Sequence, residues 1–377
     1  MLYWLLFEKL QDVFGPFRLF GYVTFRTAFA AITALLMSIL IGPWMIQRLR
    51  QLAFGQYIRE EGPKSHQKKA GTPTMGGALT ILSIIVPTLL WSNLRNVYVW
   101  IALFALITFG AIGFYDDYTK IKKMRNLGLT ARQKLAMQIA AAMAIGFLLL
   151  LLHARGGYST EMNIPFFKQF RPDLLISPLL DNPWTYALAF APFYLFLILV
   201  IVGSSNAVNL TDGLDGLAIG LMIIASGAMT VLAYTAGHRE FATYLDIVRV
   251  PGAAELTIFC ASMMGASLGF LWYNAHPAEV FMGDVGALGL GAALGTVAVL
   301  IKQEVLLLFI GGVFVIELLS VVIQVVSFKT RGKRVFKMAP LHHHFEAMGW
   351  AESKIIARFW IAGLVMALFA LTTLKLR

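Results

Sequence analysis

VYVWIALFALITFGAIGFYDD, residues 97–117, decides the class of this fold. Its first nineteen residues, 97–115, carry no charge. At 1.5 Å of rise per residue, that is enough helix to cross a hydrocarbon core about 30 Å thick. No water is available there, so backbone N–H and C=O groups must pair within the segment, which selects helix. The run then stops on two adjacent carboxylates, Asp116 and Asp117. An aspartate at membrane depth costs roughly 2.5–3.5 kcal/mol on insertion scales, so such a pair belongs where it faces water, pairs with a cation or binds a ligand.

The same pattern recurs along the chain. Hydrophobic residues make up 58% of the sequence and the mean hydropathy is +0.73. Apolar segments at 21–48, 72–93, 97–115, 134–153, 185–204, 213–236, 254–274, 284–301, 304–328 and 354–375 predict an all-α polytopic membrane protein, a bundle of about ten transmembrane helices. Because the segments follow one another closely, residues 1–377 read as one integral-membrane domain. The pairs Gly265/Gly269 and Gly291/Gly295 have the small-xxx-small spacing that lets helices approach. GLGLGAALG lies inside an apolar run with no strand before it, so it is not a dinucleotide fingerprint.

Lys and Arg concentrate in alternate loops: Arg48 to Lys69, Lys120 to Arg132, and Lys329 to Lys337. The positive-inside rule makes these loops cytoplasmic and, with ten spans, puts both termini on the periplasmic side. The net charge of +11 follows from that bias. The basic loops lack interleaved aromatic residues, so nucleic acid is a poor partner, whereas anionic lipid headgroups suit them. Residues 1–17 lack a basic leader and carry Glu8 and Asp12, which fits an interfacial helix better than a cleaved signal. Residues 154–184 form the longest periplasmic loop, with room for a hairpin and a short helix, and residues 329–353 form a cytoplasmic loop containing histidines. Cys260 is the only cysteine, which rules out an intrachain disulfide and argues against thiolate metal sites.

All the aspartate clusters fall on the cytoplasmic side of this topology. Neighbouring helical residues project about 100° apart, so Asp116 and Asp117 are expected to have separate jobs unless the helix ends there. The bland reading is a solvated pair beside Lys120, Lys122 and Lys123. In NLTDGLDGL, Asp212 is expected to cap the sixth span, with Asp215 one turn along, while Asn206, Asn209, Gly213 and Gly216 favour close approach of an anionic ligand over capping alone. Asp284 in FMGDVGA has the same geometry at the eighth span, with Phe281 just before it. Hard carboxylate oxygens without cysteine suit Mg²⁺.

His342, His343 and His344 are consecutive, so their imidazoles diverge, and phosphate binding or proton handling suits them better than a His-only metal site. Glu317, Ser320 and Gln324 share a face of the ninth span. Gln324 is placed to reach the aspartates, and Glu317 to do so or to satisfy a partner helix.

Five motifs complete the reading: SHQKKAGTPTMGG at 65–77, the DD of GFYDDY, NAVNLTDGLDGL, FMGDVGALGLG and PLHHHFE. Together, in order and over essentially the whole chain, they resemble the phospho-N-acetylmuramoyl-pentapeptide transferases, within the polyprenyl-phosphate N-acetylhexosamine-1-phosphate transferase superfamily. The resemblance implies Mg²⁺-dependent transfer of phospho-MurNAc-pentapeptide from UDP-MurNAc-pentapeptide to undecaprenyl phosphate, at the cytoplasmic face of the bacterial inner membrane, with lipid I and UMP as products. It also points to a homodimer.

Carried over residue by residue, the resemblance implies that Asp284 is a Mg²⁺ ligand, that Asp116 serves the lipid phosphate as base or positioning group, and that Asp117 and Asp212 complete the acidic, metal-binding centre. It implies that Lys69, Gly213, Leu214, Asp215 and Phe281 border the uridine pocket, with Thr74, Lys134, Asn209, Gln324, His342, His343 and His344 nearby. Direct attack by the lipid phosphate is the preferred route, and an aspartate nucleophile with a covalent phospho-sugar intermediate is the rival. The competing functions are a sister GlcNAc-1-phosphate transferase and, more remotely, a cation-coupled transporter, whose acids belong nearer the membrane midplane.

Overall fold

The structure is a computed structural model, and it describes residues 1–52, 71–122, 128–165, 167, 170–180 and 184–375. The long or apolar helices are α1 (Val23–Gln51), α2 (Gly77–Trp91), α3 (Val97–Lys122), α4 (Ala131–Ala154), α5 (Ala191–Thr211), α6 (Leu217–Gly237), α7 (Leu256–Asn274), α8 (Gly283–Leu300), α9 (Gly312–Arg331) and α11 (Glu352–Thr372), with a short α10 (Leu341–Ala347) between the last two. Among the described residues, nine helices are long and apolar enough to cross a membrane, and α2, at 15 residues, is a shorter apolar helix. Sequence hydropathy had run this segment back to residue 72, but the turn residues at 71–76 precede the helix. The ninth apolar segment is broken: a short helix, Glu304–Ile310, ends at Gly311 before α9 begins.

Helix α8 is buried almost throughout, while α1, α4 and α9 expose most of their apolar surface. It packs against α2, α3 and α5. Its small residues make that possible: Gly291 lies against Ser204 and Ser205, and Gly295 against Val200 and Ile201 of α5. Gly265 and Gly269 of α7 likewise meet the backbone of Ala31 and Leu35 on α1. Without a hydrophobic driving force between helices in lipid, close backbone approach of this kind supplies the packing contacts.

At one end of the bundle, Arg26 and Glu255 form a buried bidentate pair with both N···O distances 2.7 Å, and Arg26 also donates to the carbonyl of Trp91. Residues 3–9 and 15–21 form short π and 3₁₀ turns there. Among the described residues of the 154–184 segment, Glu161 and Asp173 form a bridge and Ser177–Leu179 a 3₁₀ turn. The opposite end gathers the C-termini of α3, α5 and α7 and the N-termini of α2, α4, α8 and α11. Asp116, Asp117, Asp212, Asp215 and Asp284 all lie there.

Candidate active site

Helix α3 does not end at its aspartates. It continues through Asp116 and Asp117 to Lys122, yet both carboxylates are buried and reach one group. Lys120 stands four residues from Asp116 and three from Asp117, both same-face spacings on a helix. Its Nζ lies 2.7 Å from Asp116 Oδ2 and 3.0 Å from Asp117 Oδ1. The expected divergence of the pair is thus overturned, because a cation one turn on stands between the two directions. Asp284 joins from α8, with Oδ2 at 2.9 Å from the same ammonium. Lys134, in the first turn of α4, donates to Asp284 Oδ2 at 2.7 Å and lies 3.9 Å from Asp116. Asn209 donates to Asp284 Oδ1 at 2.7 Å, and the Leu129 N–H donates to Asp116 Oδ1 at 2.7 Å.

Asp284 sits in the first turn of α8, where the positive end of the helix favours an anion. It is not the N-cap, a position held by Met282, which makes no side-chain cap. Gly283 has φ +71°, and a Cβ there would run into Asp117 Oδ2 and Thr74 Oγ1, so both the conformation and the space require glycine. Thr74 is therefore beside the centre. Its segment is tied to the Phe281 turn by three backbone hydrogen bonds: Gly76 N–H to Phe281 O (2.9 Å), Gly77 N–H to Met282 O (2.8 Å) and Phe281 N–H to Pro73 O (2.8 Å).

Asp212 ends α5 as its C-cap; it does not start α6, whose N-cap is Gly216 with φ +79°. Burial, and then the charges of Asp284, Asp117 and Asp215, push the Asp212 carboxyl up to about 8, against a lowering hydrogen bond from the Gly283 backbone. The rest of this loop is held from two sides. The Ala278 N–H donates to Asp215 Oδ2 at 3.1 Å, and His276 Nδ1 lies 3.2 Å from the same oxygen. The Asp215 N–H donates to Glu352 Oε1 at 3.1 Å, and the Gly216 N–H to Asn274 Oδ1 at 3.1 Å. Leu214 is buried beneath the loop, and Phe281 is half-buried.

The three histidines do not all diverge: the rings of His342 and His343 lie 4.2 Å apart, centroid to centroid, although their nitrogens face separate partners. His342 is fully buried, its ring packed against Gly213 and facing Glu317. His343 Nδ1 lies 2.6 Å from Glu346, and His344 Nδ1 accepts the Lys337 N–H at 3.1 Å. Glu317 satisfies a partner segment, accepting the backbone N–H groups of Leu341 and His342. Gln324 is spent on the loop before α10: its Oε1 accepts from Val335 and Phe336, and its Nε2 donates to Phe336 O. Lys69 lies outside the described residues.

Asp116, Asp117 and Asp284 each offer an oxygen, and these atoms lie within 4.8 Å of one another. Carboxylates close together, with no sulfur among them, fit Mg²⁺, which takes few protein ligands and prefers hard oxygen donors. Asp212 is outside this trio but within its field. Lys120, read in the sequence only as a flanking charge, is the residue that ties the trio together, and its i+3 and i+4 spacing from the two aspartates was the available signal.

Residues 99–302 match the family described as Glycosyl transferase family 4. Over their full lengths, the chain is 66% identical to the phospho-N-acetylmuramoyl-pentapeptide-transferase of Solibacter usitatus and 64% identical to that of Koribacter versatilis. It is 52% identical, again over both full lengths, to the protein of the same name from a Geobacter species. This chain, with its acidic centre at one end of an apolar bundle, belongs to glycosyl transferase family 4 and, within it, to the phospho-N-acetylmuramoyl-pentapeptide-transferases.

Proposed function

We propose that this protein transfers phospho-N-acetylmuramoyl-pentapeptide from UDP-MurNAc-pentapeptide to undecaprenyl phosphate, giving lipid I and UMP for peptidoglycan synthesis. The observation that carries the reading is the meeting of Asp116, Asp117 and Asp284 with Lys120 and Lys134 at one end of an apolar helical bundle. A lipid-anchored phosphate can reach such a site only from within the membrane, and a nucleotide sugar only from water. The end of a bundle is where both arrive. The distribution of Lys and Arg supports a cytoplasmic orientation of this end in the bacterial inner membrane.

Phosphoryl transfer needs alignment and charge neutralisation more than covalent chemistry from the protein. Asp117 and Asp284, with Asp212 alongside, would hold Mg²⁺, which when bound would supply positive charge against the donor diphosphate. Lys120 and Lys134 carry ammonium groups to the same phosphate oxygens. The 212–216 loop and Phe281 form the uridine side of the site, the ring of Phe281 offering a face to the base. Asp116 positions the acceptor phosphate and takes up its proton where it is protonated. In the direct route an acceptor oxygen bonds to the sugar-linked phosphorus as the phosphorus–oxygen bond to UMP breaks, and the electron pair leaves with UMP.

The test is product analysis with purified protein in detergent, undecaprenyl phosphate and either UDP-MurNAc-pentapeptide or UDP-GlcNAc. The expected lipid product carries MurNAc-pentapeptide. A product formed only from UDP-GlcNAc overturns the reading in favour of the sister activity. Radiolabelled sugar phosphate trapped on the protein without acceptor lipid, and lost on changing one aspartate to Asn, overturns the direct route.

A further inference from the structure

Asp284, the residue proposed to hold the metal, spends both of its carboxylate oxygens on protein donors in this structure. Oδ2 takes the ammonium groups of both Lys120 (2.9 Å) and Lys134 (2.7 Å), and Oδ1 takes the amide of Asn209 (2.7 Å). Asp116 and Asp117 each spend an oxygen on the same Lys120 ammonium, at 2.7 and 3.0 Å. One nitrogen therefore lies within hydrogen-bond reach of all three carboxylates, including Asp117 and Asp284, the two that would hold the divalent cation. We propose that Lys120 is a built-in counter-ion that occupies the metal position and is exchanged for the divalent cation, so that its ammonium is released toward the donor phosphates as the metal enters.

Three features support exchange by Lys120 rather than Lys134. Lys120 contacts the whole trio, whereas Lys134 contacts Asp284 and is 3.9 Å from Asp116. The Lys120 side chain is 31% exposed against 17% for Lys134, so it has a way out to water. Charge also favours it: three carboxylates face two ammonium groups, and a divalent cation in place of Lys120 makes the centre neutral. Clustered carboxylates with no cation between them would repel strongly, so a counter-ion keeps the site assembled between turnovers. The exchange itself moves no proton, and only the partners of Lys120 change. Rooted on α3 one turn beyond Asp116, the freed ammonium stays beside the reacting phosphates.

This proposal rests on the metal reading above, and its test separates the two. Mn²⁺ binding is measured by the loss of the free aqueous Mn²⁺ spin-resonance signal, on full-length protein in detergent without nucleotide or lipid. Lys120→Met is expected to bind Mn²⁺ at least about tenfold more tightly than wild type, a difference of about 1.4 kcal/mol, and Lys120→Met/Asp284→Asn is expected to lose that gain. Equal or weaker binding by Lys120→Met overturns the exchange and leaves the metal reading standing. Absence of binding in both proteins overturns both.

A measurement on wild type alone guards against misfolding of the variant. Acetylation of Lys120 by an amine-reactive ester, normalised to the exposed Lys329 and read by peptide mass spectrometry, is expected to rise several-fold as Mg²⁺ is added. Acetylation that stays constant or falls overturns the exchange.

Discussion

Glu317 on α9 accepts the backbone N–H of Leu341 at 2.7 Å and that of His342 at 3.1 Å, so a buried carboxylate in one helix starts the next. His342 faces the same carboxylate, with Nδ1 at 3.3 Å from Oε1, and its ring is pressed on Gly213 of the substrate loop. Changing Glu317 to Ala leaves two buried N–H groups without acceptors, at a cost of about 1–3 kcal/mol each. The expected result is a lower midpoint in a detergent thermal melt together with reduced turnover. Glu317→Gln keeps one acceptor oxygen and should lie between Ala and wild type. Normal turnover in Glu317→Ala would detach the histidine loop from the mechanism.

Close helix approach gives a second prediction. A methyl group at Gly113 would run into the carbonyl of Asp284, while one at Gly203 meets nothing within 4 Å. Gly113→Ala should therefore push α8 off α3, lowering both stability and activity. Gly203→Ala should be neutral or stabilising by up to about 1 kcal/mol, the helix-propensity difference. Paired melts of the two variants check this, and equal effects would contradict the packing account.

The Arg26–Glu255 pair, at the end of the bundle away from the acidic centre, predicts a purely structural phenotype. Glu255→Ala leaves the guanidinium buried without its carboxylate and should cost roughly 3–5 kcal/mol. Turnover per folded molecule should be retained. A melt combined with activity normalised to the folded fraction separates the two effects.

Asp212 predicts a pH dependence of stability. Its carboxyl is raised from 3.8 to about 8 in the folded protein. A carboxyl raised in this way favours folding while protonated. That advantage is complete below the unfolded value and is lost as pH rises through the folded one. In chelator, the melting midpoint of wild type relative to Asp212→Asn should therefore fall as pH goes from about 5 to about 9. A difference that does not change with pH would contradict the placement of Asp212 in the field of Asp284 and Asp117.

Hydropathy made the helices legible because membrane burial acts on every residue of a span, and the ends of those spans marked where the acids would gather. Local geometry was less legible. Asp116 and Asp117 were expected to diverge because helical periodicity treats side chains as fixed spokes, whereas a long lysine one turn on can bridge two adjacent ones. Asp212 was expected at a helix start because Asp before Gly resembles a cap, but α5 runs on to Thr211 and the left-handed Gly216 begins α6. The segment from 304 was read as one span because Gly311 is apolar enough to pass a hydropathy window, although the helix breaks there. Gln324 shared a face with Glu317, and that face meets the 333–340 loop before it meets the aspartates.

The central claim is that the carboxylates on α3 and α8 hold a divalent cation for phosphoryl transfer. Its most direct test is UMP release by purified protein given UDP-MurNAc-pentapeptide and undecaprenyl phosphate, with and without Mg²⁺, for wild type and Asp284→Ala. The account predicts release by wild type that stops in chelator and returns with Mg²⁺, and none from a folded Asp284→Ala protein. Undiminished release in chelator, or near-normal release by Asp284→Ala, would contradict it.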